Sequence, residues 1–141
     1  MPNGEADPSV DLAGFQSAGR TLFSLALVRG EEGNLSTFDG SVLAITRTGV
    51  PLAGLGGSDI LTGGLVDDLP GASSDLEVHR ALYAERGPGA VVHAHPPGTV
   101  PEGGGGPGHH GVYSFAPTLT QAVEAVVEGS RTADHAPPAR P

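Results

Sequence analysis

The sequence predicts a single α/β domain, in which helices with one apolar face alternate with short β-strands. Three observations support this fold class. The chain has 141 residues, enough for one domain with a buried core. An Asp-Gly pair at residues 39–40 separates two β-prone segments and predicts a hairpin. Apolar residues recur at helical spacing near the start of the chain and again near its end.

The first helix is predicted from Ser9 to Gly30, after a flexible start at residues 1–8. Apolar residues fall on one face of this segment at helical spacing. Those residues are Leu12, Phe15, Leu22, Leu25 and Ala26. Gly30 is expected to close the helix, because glycine readily adopts the left-handed backbone conformation that ends many helices.

The hairpin is predicted to contain strands at residues 33–38 and 41–46, on either side of the Asp-Gly turn. A second turn is predicted at residues 46–51. The next segment predicts a helical turn at residues 55–60 and a short strand at residues 64–68. The hairpin is the strongest signal in this region, because Asp-Gly favours a tight turn between paired strands.

A second helix is predicted to begin at Ser73 and to run through Tyr83. Ser74 and Glu77 have the spacing of a capping box, in which each side chain bonds the other residue's backbone N–H. The helix is expected to stop before the Gly-Pro pair at residues 87–88. The residues along one face of this helix are Leu76, His79, Leu82 and Tyr83.

Residues 89–95 predict a buried strand that carries two histidines. Because alternate side chains of a strand point to opposite faces, His93 and His95 are expected to point to the same side. Two imidazoles placed in this way can occupy adjacent positions around a metal ion. A third histidine would complete a site with room for water or substrate. The candidates for it are His110 and its neighbour His109.

The rest of the chain predicts a loop, a strand, a helix and a tail. Residues 96–108 are almost entirely proline, glycine and small polar residues, which is typical of a loop without a core. A last strand is predicted at residues 110–115 and a final helix at residues 118–127. The final helix has Leu119, Ala122, Val123, Val126 and Val127 on one face. Residues 131–141 are predicted to be a disordered tail.

Composition excludes several classes of function. The formal net charge of −9 argues against nucleic acid and anionic membrane as partners, since both require clusters of lysine and arginine. A phosphorylated substrate remains compatible with this charge, because backbone amides, hydroxyls and a metal ion can bind phosphate. The chain has no cysteine, so a metal would be bound by His, Asp or Glu. No apolar run could span a membrane and no signal peptide is evident, which predicts a cytoplasmic protein.

Five short motifs occur in an order that resembles the class II aldolase/adducin family. They are Gly33-Asn34-Leu35-Ser36, Thr46-Arg47-Thr48-Gly49, Ser73-Ser74-Asp75, Val91-Val92-His93-Ala94-His95-Pro96 and His109-His110-Gly111. The resemblance implies one domain over residues 9–130, with a three-layer α/β/α fold around a mostly antiparallel sheet. It also implies a homo-oligomer, usually a tetramer with active sites at subunit interfaces. The 4% aromatic content is consistent with subunits that share core or site.

The same resemblance implies the ligands of a metal ion and the residues of a substrate site. His93, His95 and His110 would bind a divalent metal ion, with zinc favoured and iron or manganese as alternatives. His110 is preferred to His109 because it directly precedes the glycine. The residues expected to line a phosphate site are Asn34, Thr48, Gly49, Ser73 and Ser74. The two serines could equally serve as ordinary helix caps, since a cap and an anion site use the same backbone amides.

Asp75 stands where the family has its catalytic glutamate, and is the expected acid–base residue. As an acidic residue in the first turn of a helix, it could instead serve only to complement the helix dipole. Glu77 is the alternative base, although a capping box would occupy it. His79 could be a metal ligand, a hydrogen-bond donor to the site, or a packing residue.

The implied function is that of a metal-dependent aldolase-like lyase. It would act on a small hydroxy-carbonyl compound, phosphorylated or not, through an enediolate stabilised by the metal. The alternatives are an epimerase, dehydratase, decarboxylase or oxygenase on the same metal site, or a non-catalytic adducin-like binding domain. Two features depart from the family pattern. The acid–base residue is aspartate rather than glutamate, and only residues 96–109 separate the paired histidines from the third, where the family has a much longer segment.

Overall fold

The computed structural model describes residues 10–96 and 111–135, with side chains in the second range up to Gly129. The elements in chain order are α1 (Leu12–Ser24), β1 (Asn34–Phe38), β2 (Leu43–Thr46), β3 (Ile60–Gly63), α2 (Leu76–Arg86), β4 (Gly89–Ala94), β5 (Val112–Ala116) and α3 (Leu119–His135). Two single turns of 3₁₀ helix, Leu52–Gly54 and Gly57–Asp59, lie between β2 and β3.

The strands form one five-stranded sheet in the order β3-β2-β1-β4-β5, and every neighbouring pair is antiparallel. The predicted hairpin is β1–β2, with Phe38 opposite Leu43. Its turn is held by the Asp39 carboxylate, which accepts hydrogen bonds from the backbone N–H groups of Ser41 and Val42 at 2.8 and 2.7 Å. Gly40 has a φ of 102°, a conformation that glycine adopts without strain. The predicted hairpin and the mostly antiparallel sheet are therefore confirmed.

Helices cover both faces of the sheet. One face packs against α1 and α3 and forms the main apolar core, which includes Phe15, Leu22, Leu35, Val92 and Ala122. The other face packs against α2, where Tyr83 contacts a smaller apolar cluster around Leu43 and Val91. This arrangement is the expected three-layer α/β/α fold.

The first helix is shorter than predicted, because it ends at Ser24 rather than Gly30. Ala26 adopts the left-handed conformation with a φ of 60°. The backbone N–H of Leu27 donates to Leu22 O and that of Ala26 donates to Phe23 O, the two bonds of a Schellman motif. The turn returns Leu27 to the core, where it is 3% exposed. Burial of Leu27 thus favours the end of α1 at Ser24, with Ala26 in the left-handed position that glycine usually occupies.

The strand predicted at residues 64–68 is wrong, because β3 comes earlier, at Ile60–Gly63. Ile60 pairs with Thr46, so its β-branched side chain stands within the sheet. Residues 64–67 instead form a turn, in which Gly64 N–H donates to the Asp67 carboxylate at 2.6 Å. The helical turn predicted at 55–60 is present as the 3₁₀ turn Gly57–Asp59, and a second 3₁₀ turn, Leu52–Gly54, precedes it.

The predicted capping box at the start of α2 is also wrong. The helix begins at Leu76, and Asp75 precedes it as the N-cap without a capping bond from its side chain. Ser74 is exposed. Glu77 pairs with Arg80 at 3.0 Å on the surface instead of reaching back to the helix start. The Asp75 carboxylate is engaged elsewhere, which explains why it does not cap.

The last helix continues to His135 and so includes residues 131–135, which the sequence analysis assigned to the tail. It packs along β4 and β5 through Ala122, Val123 and Val126, as its apolar spacing predicts. Among the helices of the described ranges, none combines the length and the apolar character needed to cross a membrane.

Candidate active site

A cavity of about 440 Å³ opens where β1 begins, where β2 and β4 end, and where α2 begins. It brings together segments that are far apart in sequence. All five predicted substrate-binding residues line it, as do the predicted acid–base residue and both paired histidines. The lining residues are Glu31, Glu32, Gly33, Asn34, Arg47, Thr48, Gly49, Ser73, Ser74, Asp75, His93 and His95.

The paired histidines lie side by side, with ring centroids 4.8 Å apart. His93 belongs to β4 and is 4% exposed, while His95 follows the strand directly. The backbone N–H of His95 donates to Leu27 O at 2.7 Å, which ties the end of the strand to the segment after α1. Both imidazoles are thus directed to the same side by a rigid element, as the alternation of a strand predicts.

The tautomer of His93 is set by a backbone carbonyl. His93 Nδ1 lies 3.0 Å from Val112 O. Because a carbonyl oxygen only accepts, Nδ1 must carry the proton, and in the neutral ring the lone pair is then on Nε2. This is the arrangement found in metal-binding histidines, where the second nitrogen is held by a carbonyl or carboxylate. His93 therefore fits the role of a metal ligand through Nε2.

The third predicted ligand, His110, and its alternative, His109, lie outside the described residues. Within residues 10–96 and 111–129, no group of three His, Cys, Asp or Glu side chains could hold a metal ion. Gly111 is described and lies against both paired rings. A Cβ at this position would stand 2.4 Å from Ala94 O and 2.9 Å from His93 Cε1, and its φ is 87°. Only glycine fits where the chain passes the two histidines.

Asp75 lies beside the histidine pair, with its carboxylate oxygen Oδ2 3.6 Å from His93 Nε2. Asn34 Nδ2 donates a hydrogen bond of 2.9 Å to the same oxygen. The Asp75 side chain is 16% exposed, so it is partly shielded while still lining the cavity. Glu77, the alternative base, is exposed and paired with Arg80, and it does not point into this cavity.

His79 is fully buried behind Asn34. Its Nε2 lies 2.5 Å from Asn34 Oδ1 and its Nδ1 lies 2.6 Å from Ser36 Oγ. Burial, the largest cause, lowers the pKa of His79 to about 3, so the ring is neutral. Both ring nitrogens are occupied by these contacts, so His79 is not placed as a ligand beside His93 and His95.

Tyr113 of β5 stacks on His93, with ring centroids 4.1 Å apart and planes 20° from parallel. Its hydroxyl oxygen is buried and forms no hydrogen bond of good geometry with any described residue. Burial, followed by the nearby Asp75 carboxylate, raises the pKa of Tyr113 to about 12. The hydroxyl is therefore a neutral group held close to the acid–base candidate.

Arg47 supplies a positive charge to the cavity. Its Nε and Nη2 donate to Ser58 O at 3.2 and 3.0 Å, which fixes the guanidinium near Thr48 and Gly49. The carboxylates of Glu31 and Glu32 line the same cavity. An anion bound here would be attracted by one arginine and by the backbone N–H at Gly49. It would be repelled by the carboxylates of Glu31 and Glu32.

The sequence model of a protein family, the class II aldolase and adducin N-terminal domain, matches residues 14–101, more than half of the 141-residue chain. The chain belongs to the class II aldolase/adducin family. It is 35% identical over 91 residues to an L-fuculose phosphate aldolase of Methanococcus maripaludis, covering 61% of this chain and 49% of that protein. A probable bifunctional methylthioribose-1-phosphate isomerase/methylthioribulose-1-phosphate dehydratase of Nocardia farcinica is 31% identical over 98 residues, which cover 65% of this chain and 17% of that protein. The chain thus spans half or less of these curated relatives.

Solved structures agree with the family assignment. The L-fuculose-1-phosphate aldolase of Thermus thermophilus is 39% identical with a TM-score of 0.56, over 60% of this chain and 46% of that one. An L-fuculose 1-phosphate aldolase with 22% identity has a TM-score of 0.72 over 94% of this chain and 87% of that one. The N-terminal class II aldolase domain of a Thermoplasma acidophilum protein has a TM-score of 0.62 at 14% identity, over 95% and 98%. The last two likenesses show the fold, which is that of class II aldolases.

Among the residues in or beside the cavity, Arg47 and Tyr113 received no functional role from the sequence alone. Arg47 stands inside a quoted motif, so its position beside Thr48 was a usable signal. Tyr113 stands directly opposite His93 in the β4–β5 pairing, and cross-strand neighbours lie on the same face. That signal needs the strand register, which a single sequence does not supply.

Proposed function

We propose that this domain is a metal-dependent aldolase-like lyase that acts on a small hydroxy-carbonyl compound. The observation that carries the proposal is the Asp75 carboxylate, which lies 3.6 Å from His93 within a cavity that also contains His95. This arrangement joins a candidate proton carrier to two candidate metal ligands. An epimerase, dehydratase, decarboxylase or oxygenase would use the same groups, and an adducin-like binding domain would use none of them.

We assign the metal to His93, His95 and His110, with zinc favoured over iron and manganese. The Nδ1–H bond from His93 to Val112 O supports this, because it leaves the lone pair on Nε2. Gly111, the sequence neighbour of His110, supports it as well, since a Cβ at this position would meet both paired rings, at 2.9 Å from His93 Cε1 and 3.1 Å from His95 Cδ2. A bound divalent cation would supply Lewis-acid stabilisation of the negative charge that develops on the substrate's oxygens.

Asp75 then takes up and returns the substrate proton. A general base has to lie within hydrogen-bond reach of the proton that it moves, and Asp75 lines the cavity beside the histidine pair. The hydrogen bond from Asn34 holds one carboxylate oxygen in place. The aspartate in place of the family's glutamate shortens the reach by one methylene, so the substrate's reacting carbon would lie closer to the start of α2.

The remaining lining of the cavity would bind an anionic group of the substrate. It comprises the five predicted substrate-binding residues and the guanidinium of Arg47, namely Asn34, Thr48, Gly49, Ser73, Ser74 and Arg47. Ser73 Oγ accepts a hydrogen bond from the backbone N–H of Asp75 at 3.1 Å, so the Ser73 hydroxyl proton is still available to donate to an anion. The acidic residues Glu31 and Glu32 favour a compact anion with few charges. Phosphorylated and unphosphorylated compounds are therefore both candidate substrates.

The proposal includes a small-molecule substrate, a homo-oligomeric assembly and a cytoplasmic location. Members of the family are often oligomers, and the chain's few aromatic residues favour an interface that adds to the core. Size-exclusion chromatography with light scattering would measure the assembly. A strictly monomeric protein at micromolar concentration would contradict the oligomer.

Metal content is the first test. The purified protein, supplied with zinc or iron, is expected to hold one transition-metal ion per chain by elemental analysis. His93→Ala and His95→Ala should each lose most of it, because each removes one of three ligands. His135→Ala, at the end of α3, is the matched control and should keep it. A wild-type protein without stoichiometric metal would contradict the proposal.

Proton exchange is the second test. Incubation with dihydroxyacetone phosphate or dihydroxyacetone in deuterated water, followed by proton NMR, measures removal of a proton next to the carbonyl. Asp75→Asn is expected to slow this exchange by about 10²–10⁴-fold while the metal stays bound. Glu77→Gln serves as control and should retain the wild-type rate. Full activity of Asp75→Asn would show that another group carries the proton, and inactivity of the metal-loaded wild type on both compounds would favour the binding domain.

A further inference from the structure

A chain of four hydrogen bonds, of which all but the last are buried, runs from Tyr83 of α2 to the Asp75 carboxylate. Tyr83 Oη lies 2.7 Å from Ser36 Oγ, which lies 2.6 Å from His79 Nδ1. His79 Nε2 lies 2.5 Å from Asn34 Oδ1, and Asn34 Nδ2 lies 2.9 Å from Asp75 Oδ2. Ser36 and His79 are 0% exposed and Asn34 is 6% exposed, so water does not compete for the first three of these bonds. The last bond, from Asn34 to Asp75, is partly buried at the edge of the cavity.

The direction of every bond follows from the carboxylate at the end. The Asn34 amide nitrogen, which can only donate, faces the Asp75 carboxylate oxygen. Its carbonyl oxygen then faces His79 and must accept, which places the His79 proton on Nε2. The lone pair of the neutral ring is left on Nδ1, where it accepts from the Ser36 hydroxyl. Tyr83 can donate to the Ser36 oxygen. One tautomer and one amide orientation satisfy all four contacts.

We propose that His79 is a positioning residue of the site, whose Nε2–H tautomer holds the Asn34 amide with its N–H groups toward Asp75 and the cavity. If Asn34 turned over, its carbonyl oxygen would face the Asp75 carboxylate, and its amide nitrogen would face the Nε2–H donor. Both contacts would then be repulsive in a buried place. His79 thereby fixes one oxygen of Asp75 without touching the substrate.

This placement has a consequence for the ligand. Asn34 lines the cavity and presents hydrogen-bond donors there, so it selects for an oxygen acceptor on the substrate rather than a donor. The role of His79 in turnover rests on the proposed function, in which Asp75 moves the proton. The orientation of the amide does not rest on it, and the two can be tested separately.

The tautomer is tested by ¹⁵N-detected NMR of the metal-loaded wild-type protein at neutral pH. His79 is expected to carry its proton on Nε2 and none on Nδ1. A proton on Nδ1, or on both nitrogens, would overturn the proposal. The measurement needs no substrate.

The hold on Asn34 is tested by the hydrogen exchange of its side-chain amide with water. His79→Phe keeps a buried aromatic ring but lacks the donor, and should speed this exchange about tenfold or more, since one buried hydrogen bond is lost. His79→Gln, which can again donate to Asn34, should restore slow exchange. Leu22→Ala, a destabilising change on the opposite face of the sheet, is the control and should leave the exchange slow. Equal exchange in His79→Phe and wild type would overturn the proposal.

The effect on turnover is tested with the same variants and dihydroxyacetone phosphate. His79→Phe is expected to lower kcat for proton exchange by about tenfold to a hundredfold, the usual cost of a misplaced catalytic group, with metal content little changed. His79→Gln should recover most of kcat. If His79→Phe acted only by destabilising the fold, restoring a hydrogen-bond donor to Asn34 would not recover kcat. If the wild-type protein does not catalyse proton exchange, the proposed function is wrong. The tautomer of His79 and the exchange of the Asn34 amide would still show whether His79 positions Asn34.

Discussion

The two faces of the sheet differ in how they are built, although the same strands form both. Toward α1 and α3 the sheet presents apolar side chains such as Leu35 and Val92, both 0% exposed. Toward α2 it presents a row of polar rings and amides across three strands. Asn34 stands opposite His93, and His93 stands opposite Tyr113. Neighbours along one strand therefore serve stability on one face and the candidate site on the other.

This difference shows how a small domain can hold a polar site rigidly. On the apolar face, burial of carbon atoms stabilises the fold without fixing any single contact. On the polar face, directed bonds such as that from Asn34 to Asp75 fix individual side chains in one orientation. A change on the apolar face should act on stability, and a change on the polar face should act on binding or catalysis. The predictions below test that separation.

The largest expected effect on stability is that of Leu35→Ala. The side chain is fully buried between the sheet and the two helices, so its truncation should lower the free energy of unfolding by about 2–5 kcal/mol. Urea denaturation measures this loss. Metal content should stay at the wild-type level, because the cavity lies on the other face. A loss below about 1 kcal/mol would contradict the assignment of this face as the main core.

Arg47→Met is expected to weaken anion binding at the cavity. The guanidinium is the cation among the described residues that line it, and a hydrogen bond to a charged group contributes about 1.5–3 kcal/mol, so affinity for inorganic phosphate should fall about tenfold or more. NMR titration with phosphate measures the affinity. Arg80→Met, which removes an arginine paired with Glu77 outside this cavity, should have little effect. Equal weakening by both variants would indicate a general charge effect.

The buried His79 should make stability depend on pH. Its pKa is about 3 in the folded chain against an ordinary 6.5, so between these values the unfolded chain binds one more proton. The free energy of unfolding should therefore fall as the pH drops below 6.5, by up to about 1.4 kcal/mol per pH unit from this residue. Denaturation of the wild type and of His79→Phe from pH 7 to pH 4.5 isolates the contribution. The variant should show a shallower slope, and parallel slopes would mean that His79 does not stay neutral.

The sequence was sufficient for the apolar face and for the paired histidines, because both depend on simple alternation. Leu35, Val92 and the helix residues around Ala122 show periodicities that are visible without a structure. The α2 start was not predictable in the same way. Ser74 and Glu77 fit a capping box, but the Asp75 carboxylate bonds to Asn34, a contact between residues distant in sequence.

The end of α1 was missed for a related reason. Ala26 takes the left-handed conformation normally marked by glycine, because the next residue, Leu27, is drawn into the core. Tertiary packing overrides the local preference at this position. The metal-ligand set stays a prediction, since His110 lies outside the described residues. Tyr113 escaped notice because its relation to His93 exists only through strand register.

Tyr113→Phe should have the smallest effect on stability. It distinguishes the stacking of the Tyr113 ring, which the variant keeps, from any hydrogen bond of the hydroxyl, which the variant removes. The ring stacks on His93, and phenylalanine preserves the stacking. The hydroxyl is buried and forms no hydrogen bond of good geometry with a described residue. Its removal should therefore leave the free energy of unfolding unchanged or raise it by up to about 1 kcal/mol. Thermal and urea denaturation of both proteins measure the difference. A clear destabilisation would mean that the hydroxyl is bonded in solution, with the adjacent Asp75 carboxylate as the partner that its raised pKa indicates. In that case Tyr113 would join Asn34 in holding Asp75, and the polar face would bind its carboxylate from both sides.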